Sequence, residues 1–119
     1  RENNMEKNFH FYKNFSAEDF VRVLANASCA VGNSSSFLRE GAFLGVPCVS
    51  VGDRQNMREH GDNVKFCSYG KKDIYQSIFN QIKLGKYPSS KIFGDGSAGI
   101  RMCQQIFKLK YEPLKGITY

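Results

Sequence analysis

Short apolar runs alternate with amphipathic segments along the chain, and this alternation restricts the folds that it can adopt. The apolar runs that indicate strands are Phe9–Tyr12, Cys29–Val31, Pro47–Val51 and Val64–Cys67. Helices are predicted from Ser16 to about Ala27, from Phe37 to Leu44, from Lys72 to Leu84 and after the turn Gly94–Ser97. Strands that alternate with helices are typical of a parallel sheet. We therefore predict an α/β fold in which helices flank a parallel sheet.

The spacing of apolar residues also predicts which side of each helix is buried. Ser16 with Asp19 three residues later resembles a capping box and fixes the start of the first helix. The predicted buried positions are Phe20, Val21, Leu24 and Ala25 in the first helix, Ile74, Ile78 and Ile82 in the third, and Ile100, Cys103, Ile106 and Phe107 in the last.

The length and charge of the chain set broad limits on its class. Its 119 residues form at most one domain, which we place at 9–110, with a tail or cut linker at 1–8 and a C-terminal tail at 111–119. The net charge of +6 fits an anionic partner such as a nucleotide, although a merely soluble basic surface is the more common cause. The lysines do not surround an aromatic platform, so no nucleic acid partner is expected. Because no apolar run is long enough to cross a bilayer, we expect a soluble cytoplasmic protein without a membrane partner.

The four cysteines give no sign of a metal site or a disulfide framework. They are Cys29, Cys48, Cys67 and Cys103, each in an apolar run and none in a C-x-x-C pair. We predict that they are buried free thiols in a reducing cytosol.

Three consecutive serines lie where the strand Cys29–Val31 passes towards the next helix. Ligands of parallel α/β sheets gather at the carboxyl ends of strands, and the first amides of a helix attract anions. Serine hydroxyls would add further donors for phosphate oxygens. However, one Ser or Asn is enough for an N-cap. On the residues alone, Asn33–Ser36 either binds an anion or only caps the helix; neither a P-loop nor a G-x-G-x-x-G fingerprint is present.

Several motifs together resemble the hydrolysing UDP-N-acetylglucosamine 2-epimerases, which begin sialic acid and related nonulosonate synthesis. The matching motifs are Gly32–Ser36, Arg39–Gly41, Gly45-x-Pro47, Gly52–Gln55, Asn63-Val64, Tyr87-Pro88 and Lys91–Gly96. The resemblance extends from about Phe15 to Phe107. It implies part of the Rossmann-like C-terminal half of a two-domain, glycosyltransferase-B-like fold, with the nucleotide sugar held between this half and an N-terminal domain.

The resemblance implies a binding role for five residues. Ser34, Ser35 and Ser36 would hold the diphosphate of UDP, Glu40 would accept from the ribose hydroxyls, and Arg54 would reach the diphosphate or the sugar. The implied reaction eliminates UDP from UDP-N-acetylglucosamine and then hydrates the unsaturated sugar to N-acetylmannosamine. Preformed donors would stabilise the charge that the leaving diphosphate gains. No cofactor and no metal are implied.

Phe37 departs from the family pattern, which often has glycine at this position. Its side chain would either crowd the diphosphate or turn into the core. The carboxylates and the histidine that transfer protons in the family lie upstream, and neither His10 nor His60 matches that histidine. We therefore assign no catalytic residue and expect no epimerase activity from this chain alone.

The resemblance also has a consequence for the sheet. It assigns the four predicted strands to strands 3, 4, 5 and 6 of a six-stranded half with the order 3-2-1-4-5-6. Strands 1 and 2, which would separate the first two predicted strands, are then missing. Either Phe9–Tyr12 pairs beside Cys29–Val31, or one edge of the sheet is open. Open edges recruit other chains, so we expect a homo-oligomer.

Three other functions remain open on the residues. A non-catalytic domain that binds UDP or phosphate would share the serine cluster, and so would part of a glycosyltransferase of the same architecture. A structural or interaction domain would use the cluster only as a cap.

Overall fold

The computed structural model describes residues 8–109, which form five helices and three strands. In chain order these are α1 (Ala17–Asn26), β1 (Ala30–Gly32), α2 (Ser35–Leu38), α3 (Glu40–Leu44), β2 (Cys48–Val51), β3 (Val64–Cys67), α4 (Lys71–Leu84) and α5 (Ala98–Lys108). The predicted tails at 1–8 and 111–119 lie outside the described residues except for Asn8.

The three strands form one parallel sheet in the order β1-β2-β3. Ala30 pairs with Cys48, and Cys48 pairs with Val64, so the three carboxyl ends lie at the same edge of the sheet. The central strand β2 is almost completely buried, with Cys48 and Val49 both fully shielded from solvent. Burial on both faces is expected of a parallel strand that helices cover. The α/β fold with a Rossmann-like parallel sheet is therefore confirmed.

Helix α1 begins as the capping box predicts. The hydroxyl of Ser16 accepts a hydrogen bond from the Asp19 amide at 3.1 Å and donates to the Asp19 carboxylate at 2.8 Å. Leu24 is buried in the core and Phe20 packs against it. The prediction is wrong for Val21, which is 39% exposed, because the apolar face of α1 is wider than the surface that the sheet and α3 cover.

The segment predicted as one helix from Phe37 to Leu44 consists of two short helices. Arg39 interrupts it, with φ of −89° and ψ of −71°, so that α2 ends before Arg39 and α3 begins after it. Gly45 ends α3 in the left-handed conformation, with φ of 65°. Its α-carbon lies against the Tyr87 carbonyl, where a Cβ would clash.

Buried side-chain amides fasten α4 to the amino-terminal end of β2. Gln81 donates to the carbonyls of Cys48 at 2.8 Å and Asn63 at 2.9 Å, and Asn63 donates to the Val46 carbonyl at 2.9 Å. The extent of α4 was predicted almost to the residue, and Ile74 and Ile78 of the predicted face are partly buried, but the prediction is wrong for Ile82. Gln81 is buried while Ile82 is 51% exposed, because these carbonyls need donors that an isoleucine does not have.

Two further predictions fail at the ends of the described region. Phe9–Tyr12 forms no strand, so β1 is an edge strand among residues 8–109. Helix α5 exists, but Ile100 and Ile106 are each 65% exposed and Phe107 is 90% exposed. Its Cys103 is also exposed, although Cys48 is buried as predicted and Cys29 and Cys67 are partly buried. The apolar residues of α5 show that one side of this helix is suited to burial. Among residues 8–109, no other element buries that side.

Candidate functional site

The serine loop, defined as Asn33–Ser36, follows β1 at the carboxyl edge of the sheet. Ser34 is the N-cap of α2, and its hydroxyl accepts a hydrogen bond from the Ser36 amide at 3.3 Å. The capping interpretation therefore holds for Ser34. Ser35 and Ser36 are partly buried in the first turn, and the cap does not need their hydroxyls. The cluster thus contains more hydroxyl groups than the start of this helix requires.

The shortness of α2 changes the electrostatic argument for anion binding. The sequence predicted a helix of two turns behind the serines, whereas α2 has only 4 residues. A macrodipole comes from aligned peptide units, so one turn contributes little of it. Any attraction for an anion must come from the individual amides and hydroxyls of the serine loop and from nearby arginines.

Phe37 turns towards the core, which decides between the two orientations considered for it. Its ring packs against the buried cluster that contains Leu38. It also lies over Gly32, where a Cβ would stand 3.2 Å from Cε2 of the ring. Gly32 has φ of 152°, a conformation that favours glycine. Phe37 therefore packs between the end of β1 and the core.

A second polar segment follows β2 and will be called the arginine turn, Gly52–Arg58. It begins at Gly52, whose amide donates to the Cys67 carbonyl at 2.9 Å. Two backbone hydrogen bonds stabilise its turns. The Asn56 amide donates to the Asp53 carbonyl at 3.1 Å, and the Arg58 amide donates to the Gln55 carbonyl at 3.0 Å. Because β1 and β2 are parallel and Gly32 pairs with Ser50, the arginine turn and the serine loop leave the sheet at the same edge.

One buried side chain joins the serine loop to the arginine turn. The amide nitrogen of Gln55 donates to the backbone carbonyl of Asn33 at 2.8 Å, and Gln55 is only 2% exposed. Its side-chain oxygen is buried without a hydrogen-bond partner among residues 8–109, as is the Ser50 hydroxyl on the adjoining strand. This connection was missed from the sequence, where Gln55 appeared in a motif but received no role.

The predicted binding residues do not line one cavity. Ser35 lines a cavity of about 360 Å³ with Arg39, Arg58 and Glu59. Glu40, at the start of α3, lines a separate cavity of about 510 Å³. Arg54 is exposed on the arginine turn and lines neither of them. The structure thus adds Arg58, which belongs to none of the motifs noted in the sequence, to the surroundings of Ser35.

Arg39 and Phe93 separate these two cavities. The Arg39 guanidinium carbon lies 5.7 Å from the centre of the Phe93 ring, within the range of a cation–π contact. Both residues line both cavities. The larger cavity also contains Val21 and Phe43 from the apolar sides of α1 and α3. A change in the Arg39–Phe93 contact would therefore alter the boundary between the cavity that Ser35 lines and the cavity that Glu40 lines.

The two histidines do not lie on the serine loop or the arginine turn. His10 is exposed near the start of the described region. The His60 ring packs edge-on against Phe66 with centres 5.0 Å apart, and Nδ1 lies 3.0 Å from the Gly61 carbonyl oxygen. These contacts give His60 a packing role.

All four cysteines are free, and neither Cys29 nor Cys48 provides an activated thiolate. Burial is the main cause that raises the pKa of the Cys48 thiol to about 12. Burial also raises the pKa of Cys29. A thiol is nucleophilic as the thiolate, so both groups are packing residues at neutral pH.

The order of the strands and the two polar segments at their carboxyl ends define a Rossmann-like α/β domain with a candidate anion-binding edge. A family profile described as UDP-N-acetylglucosamine 2-epimerase matches residues 1–107. The chain therefore belongs to the UDP-N-acetylglucosamine 2-epimerase family.

Three bacterial proteins to which the chain is similar are named as epimerases. A UDP-N-acetylglucosamine 2-epimerase from Neisseria meningitidis serogroup B is 37% identical over 79 residues, or 66% of this chain and 21% of the relative. A UDP-N,N'-diacetylbacillosamine 2-epimerase (hydrolyzing) from Legionella pneumophila is 34% identical over 96 residues, which is 81% of this chain and 25% of the relative. A GDP/UDP-N,N'-diacetylbacillosamine 2-epimerase (hydrolyzing) from Campylobacter jejuni is 32% identical over 66 residues, 53% of this chain and 17% of the relative.

The chain therefore spans a quarter or less of the length of these relatives. Among residues 8–109, no helix has both the length and the apolar character needed to cross a membrane.

Proposed function

We propose that this chain is the nucleotide-sugar-binding part of a hydrolysing UDP-N-acetylglucosamine 2-epimerase. The observation that carries the proposal is the family match over residues 1–107, combined with the meeting of the serine loop and the arginine turn at one edge of the sheet. The hydrolysing reaction is supported by the names of two of the relatives. The product would be N-acetylmannosamine and UDP, for sialic acid or nonulosonate synthesis in the cytoplasm.

The diphosphate of UDP would bind at the serine loop. Ser34, Ser35 and Ser36 bring backbone amides and hydroxyls to the end of β1, and Arg54 follows the neighbouring strand. Arginine suits this task because its planar guanidinium can donate two parallel hydrogen bonds to phosphate oxygens. When the bond between the sugar and the diphosphate breaks, negative charge grows on the diphosphate. Donors already in position would lower the barrier to that step.

Glu40 would accept hydrogen bonds from the ribose. It is exposed at the start of α3 and lines the cavity of about 510 Å³ beside Phe93. A carboxylate is an acceptor for two hydroxyl groups at once, which suits a vicinal diol. For Glu40 and the serines to hold one ligand, that ligand must extend past the Arg39–Phe93 contact.

The proposal gives this chain binding groups and no proton-transfer groups. We expect the remaining active-site residues to come from an N-terminal domain on the other side of the nucleotide sugar. The chain on its own should therefore bind UDP without turning over UDP-N-acetylglucosamine.

Two exposed surfaces of this chain are suited to contact with other protein surfaces. The edge of β1 is unpaired among residues 8–109, and the apolar residues of α5 are exposed. Unpaired strand edges and large apolar patches recruit other protein surfaces. We propose that the N-terminal domain and further copies of the protein cover them.

The test is turnover of UDP-N-acetylglucosamine by the longest natural chain that contains this sequence, with the sugar product identified by NMR. We expect N-acetylmannosamine and free UDP. Arg54→Ala should raise the Kd for UDP by about tenfold or more, because a hydrogen bond to a charged phosphate is lost. Arg22→Ala is the matched control, since Arg22 is an exposed arginine that pairs with Glu18 and Asp19 on α1.

Each of the other outcomes contradicts a part of the proposal. UDP binding without any change in the sugar would indicate a non-catalytic domain. Transfer of the sugar to an acceptor would indicate a glycosyltransferase. Absence of UDP binding would leave the serine loop with its capping role only.

A further inference from the structure

Gln55 occupies an unusual position because it belongs to the arginine turn but its side chain ends at the serine loop. The two segments are 22 residues apart in sequence, and the bond from the Gln55 amide nitrogen to the Asn33 carbonyl spans them at 2.8 Å. Gln55 is flanked directly by Arg54, and Asn33 is flanked directly by Ser34. This single hydrogen bond therefore connects the two segments that are proposed to hold the diphosphate.

The bond also orients a backbone donor. Among the described residues all peptide bonds are trans, and in a planar trans peptide the C=O and the N–H point in opposite directions. The Asn33 carbonyl points at the buried Gln55 side chain. The N–H of Ser34, in the same peptide group, must then point away from Gln55. Rotation of this peptide would turn the Ser34 N–H towards the interior.

The stabilising bond from Gln55 to the Asn33 carbonyl is accompanied by a cost. Its side-chain oxygen is buried without a partner among residues 8–109, and a buried acceptor without a donor is costly. A methionine has nearly the same length and would avoid that cost, but it would leave the Asn33 carbonyl without this donor. Gln81 shows the contrast, because it is equally buried at 2% exposure and its oxygen accepts from the Tyr87 hydroxyl at 2.6 Å.

We propose that Gln55 is a positioning residue for the diphosphate subsite: it holds the Asn33–Ser34 peptide so that the Ser34 N–H faces the ligand, and it keeps Arg54 in register with the serine loop. This inference rests on the proposed function. Gln55 acts through Asn33 and Arg54 and does not touch the reacting atoms.

The first test compares Gln55→Met with Gln81→Met in the longest natural chain that contains this sequence. Both changes remove an equally buried glutamine that donates to backbone carbonyls at 2.8 Å, but Gln81 lies at the opposite end of β2. The binding of UDP and of UMP is measured by calorimetry well below each unfolding temperature. We expect Gln55→Met to weaken UDP binding about tenfold and to reduce the preference for UDP over UMP. Gln81→Met should lower the unfolding temperature and leave that preference unchanged.

A second variant keeps the test decisive if Gln55→Met does not fold. Gln55→Glu has the same shape, but as a carboxylate it cannot donate to the Asn33 carbonyl, whereas a protonated carboxyl group can. We expect its UDP affinity, relative to that of the unmutated protein at the same pH, to recover as the pH falls and the carboxyl group protonates.

The outcomes separate the inference from the proposed function. If the unmutated protein does not bind UDP, both are wrong. If it binds UDP and Gln55→Met retains the same affinity and the same preference over UMP, only the positioning role is wrong. A ratio of Gln55→Glu to unmutated affinity that does not change with pH would also overturn it.

Discussion

Phe37 packs so closely over Gly32 that a Cβ added at residue 32 would lie 3.2 Å from Cε2 of the Phe37 ring. The contact holds the two ends of the serine loop together, because Gly32 ends β1 before the loop and Phe37 lies in α2 after it. It also explains how an aromatic side chain is accommodated directly after the serine loop. The ring fills the space beneath the loop instead of the space above it.

Gly32→Ala should destabilise the protein by about 1–3 kcal/mol, since the new methyl group meets the Phe37 ring and φ of 152° is strained for alanine. Chemical unfolding measures the change. Gly99→Ala is the control, because Gly99 lies in α5 with no atom close to an added Cβ. That substitution should be neutral or stabilise by up to about 1 kcal/mol. Equal effects of the two substitutions would contradict the contact.

Gln81→Met should reduce the free energy of unfolding by about 1–3 kcal/mol, because it removes the donors to the Cys48 and Asn63 carbonyls and leaves the Tyr87 hydroxyl without its acceptor. The control on the same helix is Gln76→Met. Gln76 is exposed and bonds only to Asn80 at 3.0 Å, so this change should stay within about 0.5 kcal/mol. A Gln81→Met protein as stable as the control would show that the buried amides contribute little.

The stability of the turn before α5 should depend on the charge of Asp95. Hydrogen bonds from Ser97, assisted by Arg101, lower the pKa of Asp95 to about 2. A carboxyl group with a lowered pKa stabilises the folded state fully above its unfolded pKa of about 3.9, and this contribution disappears as the pH falls towards the folded value. The difference in stability between the unmutated protein and Asp95→Asn should therefore shrink between about pH 4 and pH 2. NMR titration of the Asp95 carboxyl carbon checks the pKa directly, and a midpoint near 3.9 would contradict it.

Thiol labelling should distinguish Cys103 from Cys48 in the 119-residue chain. Cys103 is exposed, whereas Cys48 is buried with its pKa raised to about 12. Mass spectrometry after brief iodoacetamide treatment at neutral pH should find the label on Cys103 and not on Cys48. In a longer natural chain or an oligomer, protection of Cys103 would show that α5 is covered. Label on native Cys48 would contradict the burial of β2.

Among residues 8–109 no strand pairs with the outer edge of β1, and this predicts self-association of the 119-residue chain. Val31 lies on this edge strand and is 41% exposed. A lysine on an edge strand discourages pairing with other chains, so Val31→Lys should lower the mass measured by light scattering. Val23→Lys on α1, where Val23 is 54% exposed, serves as the control and should not. A monodisperse monomer of the unmutated chain would contradict this prediction.

The sequence by itself determined most of the secondary structure of residues 8–109 and indicated where a candidate site would lie. Caps and periodicity located α1 and α4, and the apolar runs located all three strands, because these signals are local. The serine loop was recognised as polar residues after a strand, and parallel topology made the carboxyl edge the expected place for a ligand.

Tertiary structure decided which faces are buried and which residues meet. The packing of Phe37 against the core and the burial of Gln81 instead of Ile82 depend on neighbours in other elements of the fold. The bond between Gln55 and Asn33 arises only when two strand ends come side by side. Local patterns report what a segment can form, whereas a buried carbonyl that needs a donor exists only in the folded protein.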